Sequence, residues 1–363
     1  MEINYLGKTL KTDHNLPMTD EHFEKVKADF FAKPSEDLVC KQMKKISKDG
    51  VMHNHITRYF FRDIMAKTVL WHSKWSVEEM FNNKTLIEYF YWKINANRKM
   101  FPEEKGDSNN IERAIALGGK GIGTFPSDFP MKTIDAILEN YNINNNYYDF
   151  SCGWGVRLMS SFKHNVNYFG TDPNYMLTER LEQMTKMWKE TVPTVTSNVD
   201  IRTQGSEVFI PEWENTMGLA FSSPPYFNLE DYKVGDQSYK EGVTYDQWKE
   251  NYFIPTLKNI YKYLIPEGLL IINVKDYKNY SLEKDTIEMA EQCGFKQVDI
   301  AKLENIKRIN CKAKLNDKVD GAIVFPAKTT HDENYLEFIA ENRLREELNL
   351  KDGIVVVGDR FDI

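Results

Sequence analysis

From residue 147 to residue 293 short apolar runs of strand length alternate with longer amphipathic stretches, and this alternation limits the fold more than any other feature of the chain. Strand-length runs fall at 147–151, 168–171, 199–203, 219–222 and 268–274. Helical spacing falls at 155–163, 175–191, 247–263 and 282–293. Strands that alternate with helices must be joined by crossovers, and crossovers build a parallel sheet with helices on its faces. Two further strands, 297–302 and 322–325, follow with no helix between them and are expected to close as an antiparallel pair.

Upstream the pattern changes. Residues 1–105 read as mostly helical, with segments 20–32, 36–48, 54–70 and 76–99 showing helical apolar spacing. Pro34 and the Lys48-Asp49-Gly50 stretch are natural breaks, and the polar run 103–110 marks a boundary. A glycine-rich loop at 118–126 and a helix at about 127–141 lead into the first strand. The expected division is a helical domain 1–110 that aids target binding, an α/β catalytic domain 111–330, and a helix and tail at 331–363.

The 363 residues carry a net charge of −7, which argues against a protein that coats nucleic acid at large. The distribution is uneven. Residues 1–110 hold 18 Lys+Arg against 16 Asp+Glu, leaving 29 against 38 for the remainder. Within 38–75, Lys41, Lys44, Lys45, Lys48, Arg58, Arg62, Lys67 and Lys74 face only Asp49 and Asp63, with Tyr59, Phe60, Phe61, Trp71 and Trp75 interleaved. The loop 305–318 is also basic and is a candidate for phosphate contacts. Cys40, Cys152, Cys293 and Cys311 form no CxxC pair, so no metal site is expected and the thiols are read as reduced. With no leader pattern and no run long enough to span a bilayer, the expectation is a cytoplasmic protein without a membrane partner.

Three constellations carry chemistry. Asp149-Phe-Ser-Cys-Gly-Trp-Gly155 sits at a strand-to-helix turn, where glycines let a ligand approach the backbone and the helix start offers free N–H groups. Asp172 ends the next strand, at the spacing where an acid accepts the hydroxyls of a nucleoside ribose; it is equally placed to cap the following helix. Phe221-Ser-Ser-Pro-Pro-Tyr226 follows the fourth strand. Two consecutive prolines supply no N–H donors, so the segment presents acceptors to an incoming amine, and the tyrosine beside it offers a stacking face.

These residues resemble the DNA amino-methyltransferases that make N6-methyladenine or N4-methylcytosine. That family carries a D-P-F-x-G-x-G motif for S-adenosylmethionine (SAM) and a (D/N/S)-P-P-(Y/F/W) motif for the target amine. The resemblance covers roughly 118–326 and is similar to phage and bacterial members, including those of restriction-modification. It implies a Rossmann-like class I methyltransferase sheet, mostly parallel with a final antiparallel strand, beside an N-terminal helical domain. It also implies SAM as cofactor, DNA or RNA as partner, and a homodimer or a complex partner that supplies sequence recognition. By this resemblance Gly153 and Gly155 shape the cofactor loop, Ser151 and Cys152 line it, and Asp149 meets the methionine amine. Asp172 holds the ribose, Ser206 or Glu207 reaches the adenine, and Phe125 lies in a further cofactor-contacting segment. Ser223, Pro224 and Pro225 hold the acceptor amine, and Tyr226 stacks on the base. Phe150 and Ser151 stand where the family has Pro-Phe, and no recognition domain interrupts the motifs. RNA or a small amine as acceptor, and a non-catalytic subunit that keeps the fold, remain open alternatives.

Overall fold

The computed structural model describes residues 2–5, 8–11, 18–49, 54–70, 72–118, 122–141, 144–276, 278–299 and 356–358. Contacts divide the chain into two units. One holds residues 1–39, 54–127 and 228–235; the other holds 40–53, 128–227 and 236–363.

The first unit is helical. A small antiparallel hairpin, β1 (Glu2–Tyr5) and β2 (Lys8–Lys11), precedes α1 (Asp20–Phe31), α2 (Glu36–Asp49) and α3 (His55–Lys67). Residues 40–49 of α2 belong to the second unit. The stretch expected as one helix over 76–99 is two, α4 (Val77–Phe81) and α5 (Lys84–Ala96), parted at Asn82-Asn83. Ser76 and Glu79 close a reciprocal capping box at the start of α4, which fixes where that helix begins. With α6 (Asp107–Gly118), the helices α1, α4 and α5 enclose a core that includes Phe30, Phe81, Phe90, Ile94 and Ile111. The two-residue strand β3 (Val69–Leu70) pairs antiparallel with β8 (Glu230–Asp231), so a piece of chain from far downstream completes this unit.

Part of the basic window lies inside this unit. Arg62 is 5% exposed, donates from Nε to the Phe30 carbonyl (2.8 Å), and pairs with Glu112 (3.0 Å). Burial pulls its guanidinium below the usual value, against the pull of Glu112. Arg58 shares the same carboxylate at 2.9 Å. These two cations therefore serve internal packing, and the nucleic-acid reading of 38–75 loses both.

The second unit is the expected Rossmann-like α/β fold. After α7 (Met131–Tyr141), the strands β4 (Asn146–Asp149), β5 (Asn167–Asp172) and β6 (Val199–Thr203) alternate with α8 (Val156–His164) and α9 (Tyr175–Thr191). Strand β7 (Met217–Ser222) returns to the other side of β4, and β9 (Leu264–Ile272) lies beyond it. All four pairings are parallel. The order is β10-β11-β9-β7-β4-β5-β6, with β10 (Lys296–Asp299) and β11 (Val356–Gly358) antiparallel at one edge. Every residue of β7 is buried, as a central strand covered on both faces requires.

The antiparallel closure expected from 297–302 and 322–325 is made here by β10 with β11; residues 322–325, the basic loop 305–318 and the helix expected over 331–348 lie outside the described residues. The helix expected over 247–263 is broken into α10 (Tyr245–Trp248), a single π turn (Lys249–Phe253) and α11 (Ile254–Tyr263). The last helix of the unit is α12 (Leu282–Gln292). No helix among the described residues is long and apolar enough to cross a membrane, and no cluster of three or more His, Cys, Asp or Glu suited to a metal occurs among them.

Candidate functional site

The sheet reverses direction of growth between β4 and β7, and in open α/β sheets the crevice outside the carboxyl ends of such strands is where ligands bind. Asp149 ends β4 and Ser222 ends β7, so two motifs 73 residues apart meet there. Ser222 Oγ donates to Asp149 Oδ1 at 2.8 Å and reaches the Ser151 carbonyl at 3.4 Å.

Asp149 is fully buried and its four acceptor positions are taken. Oδ1 receives Ser222 Oγ and the Ser151 N–H (3.3 Å); Oδ2 receives Arg157 Nε and the Tyr168 hydroxyl, both at 2.8 Å. Burial works against the Arg157 charge, but Asp149, with Tyr147 and Tyr168, offsets it and holds the guanidinium above its usual value. A further Arg157 N–H binds the Ser151 carbonyl. Through these bonds the carboxylate expected to meet a methionine amine joins β4, β5, β7 and α8.

The glycine turn is built as its sequence requires. Gly153 and Gly155 take φ of +54° and +77°, the left-handed region that side chains disfavour, and Gly155 is the residue from which α8 starts. Cys152 is buried, with its N–H on the Thr171 carbonyl (3.2 Å) and burial pushing its thiol well above the usual range. Its sulfur lies against Gly170 of β5.

Asp172 connects to that turn directly. Its Oδ2 accepts the Gly153 N–H at 3.2 Å and its Oδ1 the Asn174 N–H at 3.0 Å. Burial raises its pKa to about 6, against the two N–H groups that lower it. Unlike Asp149 it faces no cation at hydrogen-bond distance among the described contacts. The glycine turn and the acid at its expected spacing thus form one structure.

Ser206 and Glu207 follow β6. Ser206 is 3% exposed; its hydroxyl meets Thr256 (2.9 Å) and its carbonyl accepts from Asn259 (3.0 Å). Glu207 is half-buried, which raises its carboxyl, and its Oε2 has no hydrogen-bond partner in the structure. Of the two, Glu207 keeps an acceptor open. Sequence reasoning missed Tyr252. It sits on the π turn, is buried, and its hydroxyl is pushed up by burial; Ser206 and Ser151 act against that shift, and Glu207 and Asp172 act with it. Single π turns inside α-helices often occur at functional sites; here the turn carries a buried phenol whose ionisation is influenced by residues of both candidate cofactor segments.

The Ser223-Pro224-Pro225-Tyr226 segment leaves the carboxyl end of β7. Ser223 and Pro225 are partly exposed and Pro224 is buried. Tyr226 is 9% exposed and donates its hydroxyl to the Asn273 carbonyl at 2.8 Å, so the ring expected to stack on a base is held firmly at one end. Phe227 follows with φ +52° and is enclosed by Tyr239, Tyr245, Trp248 and Tyr280. Phe125 belongs to the helical unit, where it stacks on Phe30 (5.8 Å) under Arg62 (4.9 Å), a packing role in that core.

A family model of CTP-dependent riboflavin kinases, described as domain of unknown function DUF120, matches residues 263–357. The riboflavin kinase of Methanobrevibacter smithii is 73% identical over 45 residues, which is 12% of this chain and 36% of that protein. That of Methanothermobacter thermautotrophicus is 53% identical over 45 residues, 12% and 37% respectively. The chain thus spans about a third of the length of these two curated relatives. Among solved structures, a 1,6-didemethyltoxoflavin-N1-methyltransferase of Burkholderia thailandensis, with bound S-adenosylhomocysteine, aligns at 14% identity and TM-score 0.32. That alignment covers 47% of this chain and 69% of that one. A cyclopropane synthase of Mycobacterium tuberculosis aligns at 12% and TM-score 0.33, covering 47% and 62%. Likeness at this level adds nothing to the strand order itself. Within 263–357, the described residues build β9, α12, β10 and part of β11, an edge of the sheet just described.

Proposed function

We propose that the chain is a SAM-dependent methyltransferase whose acceptor is the exocyclic amine of a base in DNA. The observation that carries this reading is the junction of Ser222 with Asp149, which brings the amine-binding motif against the glycine turn at the switch point of the sheet.

The residues present suit the cofactor. The positive-φ glycines leave backbone open to close approach, Asp172 is a buried acid whose partners are N–H groups, and Glu207 retains an unpaired carboxylate oxygen. When bound, SAM supplies an electrophilic methyl group on a sulfonium. Asp172 would hold its ribose, the turn 151–155 its amino-acid end, and Glu207 with Tyr252 the region of its base. The backbone carbonyls of the Ser223-Pro224-Pro225 segment present acceptors, with no N–H from the two prolines to compete, which orients an amine by its hydrogens and leaves its lone pair directed away from them. Catalysis on this plan rests on positioning and needs no strong general base, because the amine proton is lost to water after transfer. A base in a duplex must be turned out of the stack to enter, at a cost of about a few kcal/mol.

The test is transfer of labelled methyl from SAM to unmodified duplex DNA, single-stranded DNA and RNA, with Tyr226→Ala as control and mass spectrometry of the nucleosides. Transfer to DNA that the control loses supports the reading and identifies the base. Transfer to no nucleic acid, from protein that binds SAM in a calorimeter, overturns it. The likeness to riboflavin kinase stays with residues 263–357, and from that segment the proposed site draws Asn273.

A further inference from the structure

Asn273 follows β9 directly, and its backbone N–H continues the sheet by donating to the Ser222 carbonyl at 3.0 Å. Its side chain is 3% exposed and lies against the amine-binding motif. The protons of this cluster can be assigned by elimination. The Tyr226 hydroxyl has one proton, and its bond to the Asn273 carbonyl uses it. The Asn273 side-chain group 2.9 Å from the Tyr226 oxygen must therefore be the donor, the NH₂. The same nitrogen lies 2.7 Å from Ser223 Oγ, so Ser223 receives its second hydrogen. The Ser223 hydroxyl proton then has to point away from Asn273. Ser223 is partly exposed, which leaves that proton for a ligand. On the same amide, Asn273 Oδ1 is buried with no hydrogen-bond partner in the structure, an unusual condition for a buried acceptor.

We infer that Asn273 is a positioning residue that turns Ser223 into a hydroxyl donor toward the substrate, so that the site reads an N=C–NH₂ edge: the Ser223 proton goes to the ring nitrogen beside the target amine. This rests on the amino-methyltransferase reading above and deepens it. Acceptors alone hold any amine. A donor fixed next to them selects an amine that has a lone-pair nitrogen as neighbour, as cytosine N3 is to N4 and adenine N1 is to N6, and it disfavours a ring in which that position carries hydrogen.

The experiment compares methyl transfer to oligonucleotides carrying the natural base with oligonucleotides whose ring nitrogen is replaced by CH: 3-deazacytosine or 1-deazaadenine. The wild-type protein is expected to favour the natural base in kcat/KM by about tenfold, the effect of one hydrogen bond with an otherwise stranded partner. Part of any such ratio reflects the reactivity of the amine itself, and two variants separate that part. Asn273→Asp offers only acceptors and draws the Ser223 proton inward, so its ratio falls toward the intrinsic one. Ser223→Ala removes the proton without placing a charge in the interior, and its ratio falls in the same way even where Asn273→Asp fails to fold. A ratio unchanged from wild type in either folded variant overturns the inference while leaving the amino-methyltransferase reading intact. A wild-type protein that binds S-adenosylhomocysteine yet methylates none of the oligonucleotides overturns that reading and the inference with it.

Discussion

At the ends of β4 and β5, two neighbouring strands of one sheet, stand two buried carboxylates with different surroundings. Asp149 has a guanidinium, two hydroxyls and an amide around it. Asp172 has two backbone N–H groups, and burial lifts its pKa to about 6. A carboxylate satisfied on all sides holds a fold together and has no acceptor left for a ligand. One kept under-compensated costs the fold stability, and the cost is offset when a ligand supplies the missing donors. By this contrast the acid inside the glycine motif is placed to hold the fold, and the acid on the next strand is the one we propose as the binding group.

The largest expected effect comes from breaking the first of the pair. Asp149→Ala leaves Arg157 buried without its counter-charge, and chemical denaturation should show a loss of about 3–5 kcal/mol. A loss below about 1 kcal/mol would overturn the view that Asp149 holds the fold. Next is Asp172→Ala, which should leave a folded protein whose affinity for S-adenosylhomocysteine in a calorimeter drops by about tenfold or more, since charge-assisted bonds to ribose hydroxyls are lost. Unchanged affinity would end the assignment.

The pH dependence sharpens the same contrast. Asp172 binds its proton more tightly in the fold than at its ordinary 3.8, so the stability tied to that proton is fully present below 3.8 and lost as pH rises through about 6. The difference is on the order of 3 kcal/mol by the size of the shift. Ligand binding runs the opposite way, because the ionised form is the better acceptor. Affinity for S-adenosylhomocysteine should rise several-fold between about pH 5 and pH 7.5, and Asp172→Ala should flatten that rise. The smallest effect belongs to Ser222→Ala, which removes one donor from Asp149 and should cost about 1 kcal/mol in denaturation, with little change in affinity for the cofactor product.

Much of this was legible in the sequence, and what was not has physical causes. The period of 175–191 and 199–203 set α9 and β6 to the residue, because an amphipathic helix and a short strand each carry their own signal. The glycine turn and Asp172 were paired by spacing, and the hydrogen bond between them confirms the pairing. The role of Asp149 was hidden because three of its partners, Arg157, Tyr168 and Ser222, reach it through tertiary folding. Tyr252 was hidden by the π turn, since adding a residue to one turn rotates the side chains beyond it and ordinary helical periodicity does not register that. Asn273 was overlooked as the end of an apolar strand, though a lone amide there is itself a signal: a polar side chain at the carboxyl end of a buried strand points to the crevice region of such a sheet.

The pairing of β3 with β8 has a consequence for how the molecule is inherited and engineered. The chain passes between its two units after Val39, His53, Ser127, Phe227 and Gly235, so neither is a continuous stretch of sequence. Eight residues just downstream of the Ser-Pro-Pro-Tyr segment, 228–235, count with the helical unit. A recombination point or a truncation at residue 127 would separate that unit from part of itself and strand residues 228–235 just after the Ser-Pro-Pro-Tyr segment. The helical part is therefore not a cassette. To exchange it for another is to rewrite the sequence on both sides of the Ser-Pro-Pro-Tyr segment at once.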